Sequence, residues 1–175
     1  MRRLEETGSK NVVWFGFGNI NAVLGNPQAA DYLVAQPRTW KEFKTGISEL
    51  EKMEEPIDAI VVDVLNQMSA KALSDNPTQA DWAQMGNDVR NVLEQLRALA
   101  PNVYVVVDVL PNDEGVDKLD LNRDLYKKTI SLFGTKTYCH TTMQRAAKGS
   151  KTPPKQIYVA QENGARALDL RPESR

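Results

Sequence analysis

The stretch Ile57-Asp58-Ala59-Ile60-Val61-Val62-Asp63-Val64-Leu65 decides the fold class. Seven of its nine residues are apolar, and Pro56 and Asn66 border it. A continuous apolar run of this length, rich in β-branched residues, is typical of a strand that is buried on both faces, as in a parallel sheet. Because an unpaired carboxylate inside a sheet is costly, we expect Asp63 at the carboxyl end of the strand, where open α/β sheets bind their ligands.

A second copy of the motif follows after one amphipathic helix. The letters Val-Val-Asp-Val-Leu recur at 106–110, at the end of an apolar stretch that begins at Val103. If the two strands are parallel neighbours, Asp63 and Asp108 emerge at the same edge of the sheet, where carboxylates suit Mg²⁺. The alternative is that each carboxylate caps a loop or accepts hydrogen bonds from the backbone.

Length and charge limit the classes of protein. A chain of 175 residues holds one domain with a substantial core, and 22 Lys and Arg against 23 Asp and Glu leave it nearly neutral. No global field therefore draws it to nucleic acid or to an anionic membrane. The charge is unevenly distributed, however, since 118–155 contains nine basic residues and two acidic ones.

Cysteine and hydropathy exclude further classes. The single cysteine, Cys139, excludes an internal disulfide and fits a reducing compartment. Together with the single histidine, His140, it gives two of the four ligands that a structural zinc site usually has, which argues against such a site. The sequence has no apolar run of about 18 residues and no signal-peptide pattern. We therefore expect a cytoplasmic protein with no membrane partner.

Helix and strand signals alternate along the chain. They predict a mostly parallel α/β sheet flanked by helices, followed by an antiparallel hairpin at the C-terminal end. Residues 1–10 are predicted to form an arm, and 11–175 a single domain. The predicted strands are 11–17, 57–65, 103–110, 137–142, 156–160 and 165–170, with a tight turn at 162–164, and the predicted helices are 39–55, 67–73, 81–100 and 122–133.

The first apolar strand runs into Gly16-Phe17-Gly18, which suggests a dinucleotide-binding fingerprint. That fingerprint needs a small residue at the position of Asn21, and Pro27 would interrupt the helix that must follow. A tight turn that requires glycine is the better interpretation. The stripe of apolar residues on the 81–100 helix, Trp82 included, is interpreted as core packing.

Several segments together resemble the core of phage-type RecA-like recombination ATPases. The resemblance covers roughly residues 11–171 and consists of strands and helix openings, which other α/β folds share. The matching segments are Thr39-Trp40-x-x-Phe43, the strand 57–63, Ala80-Asp81-Trp82, Leu96-Arg97-Ala98-Leu99, the strand 102–106, Phe133-Gly134, and the hairpin from Asn163-Gly164 to Arg171.

The resemblance implies roles for particular residues. Asp63 would be the aspartate that orders Mg²⁺ beside the nucleotide phosphates, and Asp108 would lie near the sensor position of the family. ATP and Mg²⁺ are thus expected only if the chain still binds nucleotide, and no cofactor is assigned otherwise. The basic segment would lie where relatives contact DNA or phosphate, and its candidate residues are Arg145, Lys148, Lys151 and Lys155.

The chain departs from the family at three places. The sequence contains no Gly-x-x-x-x-Gly-Lys motif followed by Ser or Thr, so the phosphate-binding P-loop is missing. The first strand ends in Gly16-Phe17-Gly18-Asn19 rather than in a catalytic Glu, and Val64 follows Asp63 where Ser or Thr is common. The match begins at the second strand of the family, as though the P-loop strand had been removed, and we expect an exposed sheet edge there.

These observations favour a non-catalytic, degenerate RecA-like protein of phage origin that acts as a structural or interaction component, in the host cytoplasm or the virion. Its partners would be other chains or further copies of itself, recruited through the exposed edge. Whether it is an enzyme stays open, but the missing P-loop and catalytic Glu argue against catalytic activity. The alternative is a nucleotide- or single-stranded-DNA-binding module of a recombination ATPase complex, in which a partner supplies the P-loop.

A hydrolase of the Ser-Asp-His type on a flavodoxin-like sheet is a further alternative. Its motivation is Leu96-Arg97-Ala98-Leu99-Ala100-Pro101 before an apolar strand. It requires a nucleophilic Ser after the first strand, where this chain has Gly18-Asn19, and a histidine with a nearby preceding Asp, which His140 lacks.

Overall fold

The computed structural model of the protein describes residue 4 and the ranges 8–73, 75–111, 117–119, 121, 123–133, 136–144 and 155–163. The chain divides into two compact units. The first consists of Met1–Leu110 and Leu119–Leu132, and the second of Pro111–Lys118 and Phe133–Arg175. The predicted extent of one domain over 11–175 stays a prediction.

Helices and strands alternate along the described residues in the order that the sequence predicts. The strands are β1 Val12–Gly16, β2 Leu33–Ala35, β3 Ala59–Asp63, β4 Asn102–Val105, β5 Val109–Pro111, β6 Asp117–Leu119, β7 Lys136–Gln144 and β8 Lys155–Asn163. The helices are α1 Asn21–Leu24, α2 Trp40–Leu50, α3 Leu65–Ala70, α4 Gln79–Leu99 and α5 Arg123–Thr129, with 3-10 turns at Pro27–Ala29 and Ile130–Leu132.

Four strands form a parallel sheet in the order β2-β1-β3-β4. This confirms the predicted α/β class with a parallel sheet and flanking helices. The chain goes from β1 to β2 on one side and then returns past β1 to β3 on the other. This reversal creates a topological switch point at the carboxyl ends of β1 and β3, which is where sheets of this order bind ligands.

The central strand behaves as its sequence predicts. From Ala59 to Val62 every residue of β3 is buried, and Asp63 ends the strand half-exposed. Asp58, just before the strand, fixes the start of the ladder, because its carboxylate accepts the backbone N–H groups of Lys10 at 2.8 Å and Asn11 at 2.9 Å. Both bonds lower the pKa of Asp58, and the bond from Asn11 has the larger effect.

The second copy of the motif is not one continuous strand. β4 ends at Val105, and Val106 still donates its N–H to Val62 O at 2.9 Å and accepts from Leu65 N–H at 2.8 Å. After that the chain leaves the parallel sheet and enters β5, which pairs with β6. Asp108 therefore lies on an exposed segment beyond β4. The short strand β2 was not predicted, because three residues give too little periodicity.

Both long helices begin at side-chain caps. The Thr39 hydroxyl accepts the N–H of Glu42 at 3.1 Å at the start of α2, while the Glu42 carboxylate accepts the N–H of Arg38 at 2.8 Å. α4 begins at Gln79, two residues before the predicted start, and has a complete capping box between Thr78 and Asp81. Hydrogen bonds from the Thr78 backbone and hydroxyl lower the pKa of Asp81.

Aromatic packing joins α2 to one face of the sheet. The Phe43 ring lies 4.9 Å from that of Phe15 and 5.0 Å from that of Phe17, both edge to face, and Phe43 is fully buried. On the other face Trp14 packs in a cluster with Leu4, which is buried although it lies in the predicted arm. The sheet therefore has an apolar core on each side.

The C-terminal strands pair with each other. β7 and β8 are antiparallel, with Cys139 opposite Ala160 and His140 opposite Val159. The predicted turn at Asn163-Gly164 and the returning strand 165–170 lie outside the described residues. No helix in the described ranges is both long enough and apolar enough to cross a bilayer.

We expect Phe43→Ala to lower the free energy of unfolding by about 3–5 kcal/mol, because it removes a buried ring from between two others. Phe43→Leu should cost less, about 1.5 kcal/mol. Urea denaturation measures both. Lys44→Ala, at an exposed position of α2, is the matched control and should change little. An equally small effect of Phe43→Ala would contradict the packing described.

Candidate functional site

The candidate site lies where the carboxyl ends of β1 and β3 meet. Gly16 and Asp63 are opposite each other in the parallel register, and Phe17 N–H donates to the backbone oxygen of Asp63 at 2.6 Å. Chain segments from both sides of the switch point meet here. This is the position at which an open α/β sheet offers a crevice to a ligand.

Gly16, the last residue of β1, and Gly18 lie so close to neighbouring side chains that neither position has room for a side chain of its own. A side chain at Gly16 would collide with Ile20, and a Cβ at Gly18 would lie 3.1 Å from Gln67 Oε1. Gln36 holds the bend from the other side by donating to Gly18 O at 2.8 Å. The glycines therefore let β1 pass close to the start of α3. Neither has a positive φ, so lack of space, and not the backbone freedom expected for a tight turn, is what requires glycine here.

Asp63 carries an unfavourable charge. Burial is the main cause that raises the pKa of its carboxyl group, and the negative charge of Asp108 raises it further. The indole N–H of Trp14 faces the carboxylate and opposes the shift, but it completes no hydrogen bond with a described residue. Trp14 is only 7% exposed, so this donor is buried without a partner.

Asp108 is held beside the sheet by Asn66. The Asn66 amide donates to Asp108 Oδ2 at 2.9 Å, and Asp108 N–H donates to Asn66 Oδ1 at 3.4 Å. The structure places Asp108 three residues beyond the end of β4, where Asn66 holds it, so the alternative that Asp108 holds a loop fits these contacts. A shared role for Asp63 and Asp108 stays a prediction. Sequence reasoning missed Asn66, although a polar residue directly after a buried strand is a usable signal.

A cavity of about 410 Å³ opens next to this edge, between α3, α4 and α5. Its volume lies within the range of small-molecule pockets. Three of its lining residues are polar and six are apolar. The lining residues are Asn66, Gln67, Ser69, Ala70, Leu73, Trp82, Met85, Leu121 and Leu125.

Trp82 was predicted to be a core residue, and that is wrong. It is 38% exposed and forms part of the cavity wall, whereas Met85 and Val89 on the same helix are buried. The apolar stripe is present from Met85 to Leu96, but Trp82, about one turn earlier, lies in the cavity wall.

The remaining candidates lie elsewhere. Arg145, Lys148 and Lys151 are outside the described residues, and Lys155 opens β8 in the second unit. Their contact with nucleic acid stays a prediction. Within the described ranges, no group of three or more His, Cys, Asp and Glu residues is arranged to hold a metal ion.

Comparison with known proteins adds no identity. No protein-family model matches the chain, and no curated protein matches its sequence. The function is therefore argued from the geometry alone. That geometry offers a pair of carboxylates, a buried N–H donor and a cavity with an aromatic wall, a combination suited to binding a cation or a proton.

We expect Asp63→Asn to stabilise the protein at pH 7. The folded-state pKa of Asp63 lies above the unfolded value, so its charge destabilises the fold increasingly as pH rises through that window. Removing the charge should raise the melting temperature by about 2 °C, a small gain because the group is half-exposed.

The gain should vanish near pH 3, where the carboxyl group is protonated in both states. Thermal melts at the two pH values measure it. Asp31→Asn, in an exposed loop, is the control and should show no such dependence. Destabilisation by Asp63→Asn at pH 7 would show that the carboxylate is instead stabilised by a partner.

Proposed function

We propose that this chain is a non-catalytic protein with a degenerate RecA-like sheet, of phage origin, and that it acts as an interaction component through its surfaces. The observation that carries this proposal is the open edge of the parallel sheet at β4. Within the described residues β4 pairs with β3 alone. Its four residues are all partly exposed, whereas β1 is buried throughout.

The hydrogen-bonding groups of β4 show what this edge can do. Val106 directs its N–H and its C=O toward β3. Because successive residues of a strand direct these groups to alternate sides, Val103 and Val105 direct theirs to the outer side. Unpaired groups of this kind are a template for another strand.

Exposed apolar side chains accompany the edge. Val106 is 41% exposed beside β4, and on the opposite edge Leu33 in β2 is 50% exposed. Single exposed apolar side chains are common on protein surfaces, so the unpaired backbone groups of β4 are the stronger support for an interaction role. The sheet therefore supports an interaction role without any reaction at its carboxyl edge.

We expect the wild-type protein to self-associate as its concentration rises, and Val105→Pro to shift it toward the monomer. Proline removes the outward N–H and leaves the ladder to β3 intact. Static light scattering after size exclusion measures the mass. Val105→Thr keeps the N–H and is the matched control. Assembly through this edge would be contradicted if the wild-type protein stayed monomeric at about 1 mM, a concentration far above the dissociation constants of ordinary protein complexes.

A second candidate function is nucleotide binding with a P-loop supplied by a partner. The observation in its favour is that Asp63 ends β3 and that Asp108, three residues beyond β4, raises the pKa of Asp63 through its charge, after the larger effect of burial. Two carboxylates there suit a Mg²⁺ ion that bridges phosphates. The single-stranded-DNA part of this candidate rests on the basic segment, of which 145–154 lie outside the described residues.

The two candidates differ in a melting experiment. Under the interaction role we expect ATP with Mg²⁺ to raise the melting temperature no more than MgCl₂ alone, because the isolated chain has no phosphate cradle. Asp108→Asn is the matched variant. A shift with ATP that this variant removes, or ATP hydrolysis above a buffer control, would favour the nucleotide-binding module.

A further inference from the structure

The open edge of β4 carries a pattern of backbone groups that matches a second copy of itself. Val106 donates its N–H to the oxygen of Val62 in β3 at 2.9 Å. Because successive residues alternate, Tyr104 also directs its N–H and C=O to β3, while Val103 and Val105 direct theirs outward. Each outward residue thus offers one donor and one acceptor, which is what the outward residues of an antiparallel neighbour require.

The sequence of this edge lacks the residues that usually keep sheet edges apart. Residues 102–107 read Asn-Val-Tyr-Val-Val-Val and contain no charged residue and no proline. The four residues of β4 are all partly exposed. Charged side chains and prolines are common means by which native proteins prevent another strand from pairing at an edge. The composition of β4 therefore favours pairing.

The positions of the outward groups select one register. When two copies of β4 run antiparallel, Val103 of each can exchange two hydrogen bonds with Val105 of the other. This register uses every outward group of the strand. A pairing centred on Val103 would instead place Val105 opposite Pro101, which has no N–H to donate. A pairing centred on Val105 would place Val103 opposite Val107, which lies beyond the end of β4.

The side chain of Tyr104 fits the same register. Tyr104 would face its own copy across the two-fold axis as a non-hydrogen-bonded pair, with Cα atoms about 4.5 Å apart. Aromatic side chains in such a pair stabilise strand pairing. Tyr104 is partly exposed and packs against the cluster that contains Trp14, so a second ring would extend an apolar surface that is already present.

Charge favours the antiparallel direction over the parallel one. Asp63 ends β3, and Asp108 lies three residues beyond the end of β4, so the carboxyl end of this edge is acidic. Parallel pairing in register would bring the same two carboxylates of a second copy to that end, where like charges repel. Antiparallel pairing places the acidic ends of the two copies at opposite ends of the interface.

We propose that this chain forms a two-fold symmetric dimer in which two β4 strands pair antiparallel about Tyr104, so that the four-stranded sheets of both copies form one continuous sheet. The dimer rests on the interaction role proposed above and makes a second copy of the chain the partner. A strand of four residues buries far less than the ~800 Å² per partner of a standard interface, so the dimer is weak and forms at high protein concentration.

Disulfide trapping tests the register. All variants are made together with Cys139→Ser, which removes the only native cysteine, and are treated with oxidised glutathione. The protein is kept at about 0.5 mM, where weak complexes form. Tyr104→Cys should give a linked dimer on a non-reducing gel, because a Cα separation of about 4.5 Å suits a disulfide. Val103→Cys is the matched control and should give none, because its two copies lie about 8 Å apart in this register.

A mixture of two further variants tests the same register without changing Tyr104. Asn102 of one copy lies opposite Val106 of the other, so a mixture of Asn102→Cys and Val106→Cys should link, whereas neither variant should link to itself. Both positions are at least partly exposed, so a cysteine is tolerated there. Adding Val105→Pro to Tyr104→Cys should largely abolish the linked dimer, because the outward N–H is lost.

The outcomes separate this dimer from the interaction role in general. Linkage of Val103→Cys, or of Val106→Cys to itself, would overturn the proposal, because it requires another register or parallel strands, and it would leave the interaction role in place. The same holds if the wild-type protein has the mass of a dimer in light scattering but neither Tyr104→Cys nor the mixture links. A wild-type protein that is monomeric at about 1 mM would overturn both the dimer and assembly through this edge.

Discussion

The structure depends on one strand that is buried on both faces. β3 pairs in parallel with β1 on one side and β4 on the other, and from Ala59 to Val62 it has no polar side chain. Parallel neighbours all end at the same edge, so whatever follows these strands is brought together there. The clamp between Asp58 and the backbone of residues 10 and 11 fixes the register at the opposite end. The candidate site is thus a consequence of strand pairing.

The carboxyl edge shows that the fold tolerates an electrostatic cost. Burial and the Asp108 charge both raise the pKa of Asp63, and Trp14 leaves a buried donor incomplete beside it. Groups arranged in this way reduce stability when nothing is bound. Proteins keep such arrangements at positions where they serve binding, because a ligand that satisfies the groups recovers what the empty site loses.

Two surfaces of the protein therefore have different chemistry. The outer side of β4 offers backbone groups and exposed apolar side chains, which suit another strand. The cavity beside α3 is lined by the polar side chains of Asn66, Gln67 and Ser69 and by apolar ones that include Trp82, and its volume is that of a small-molecule pocket. Asn66 is central to the second surface, because it ties Asp108 to the sheet edge and forms part of the cavity wall at the same time.

The sequence by itself determined the α/β class, the buried central strand and the starts of the two long helices to within two residues, because hydrophobic periodicity and helix-capping residues are local signals. Tertiary structure alone decided that β4 stops at Val105, that three residues form β2, that Asn66 reaches Asp108 and that Trp82 lines a cavity. Each of these depends on which segments become neighbours in space. Trp82 and Val89 share the spacing of core residues, but Val89 is buried and Trp82 lies in the wall of a cavity, which depends on how α3 and α5 pack beside α4.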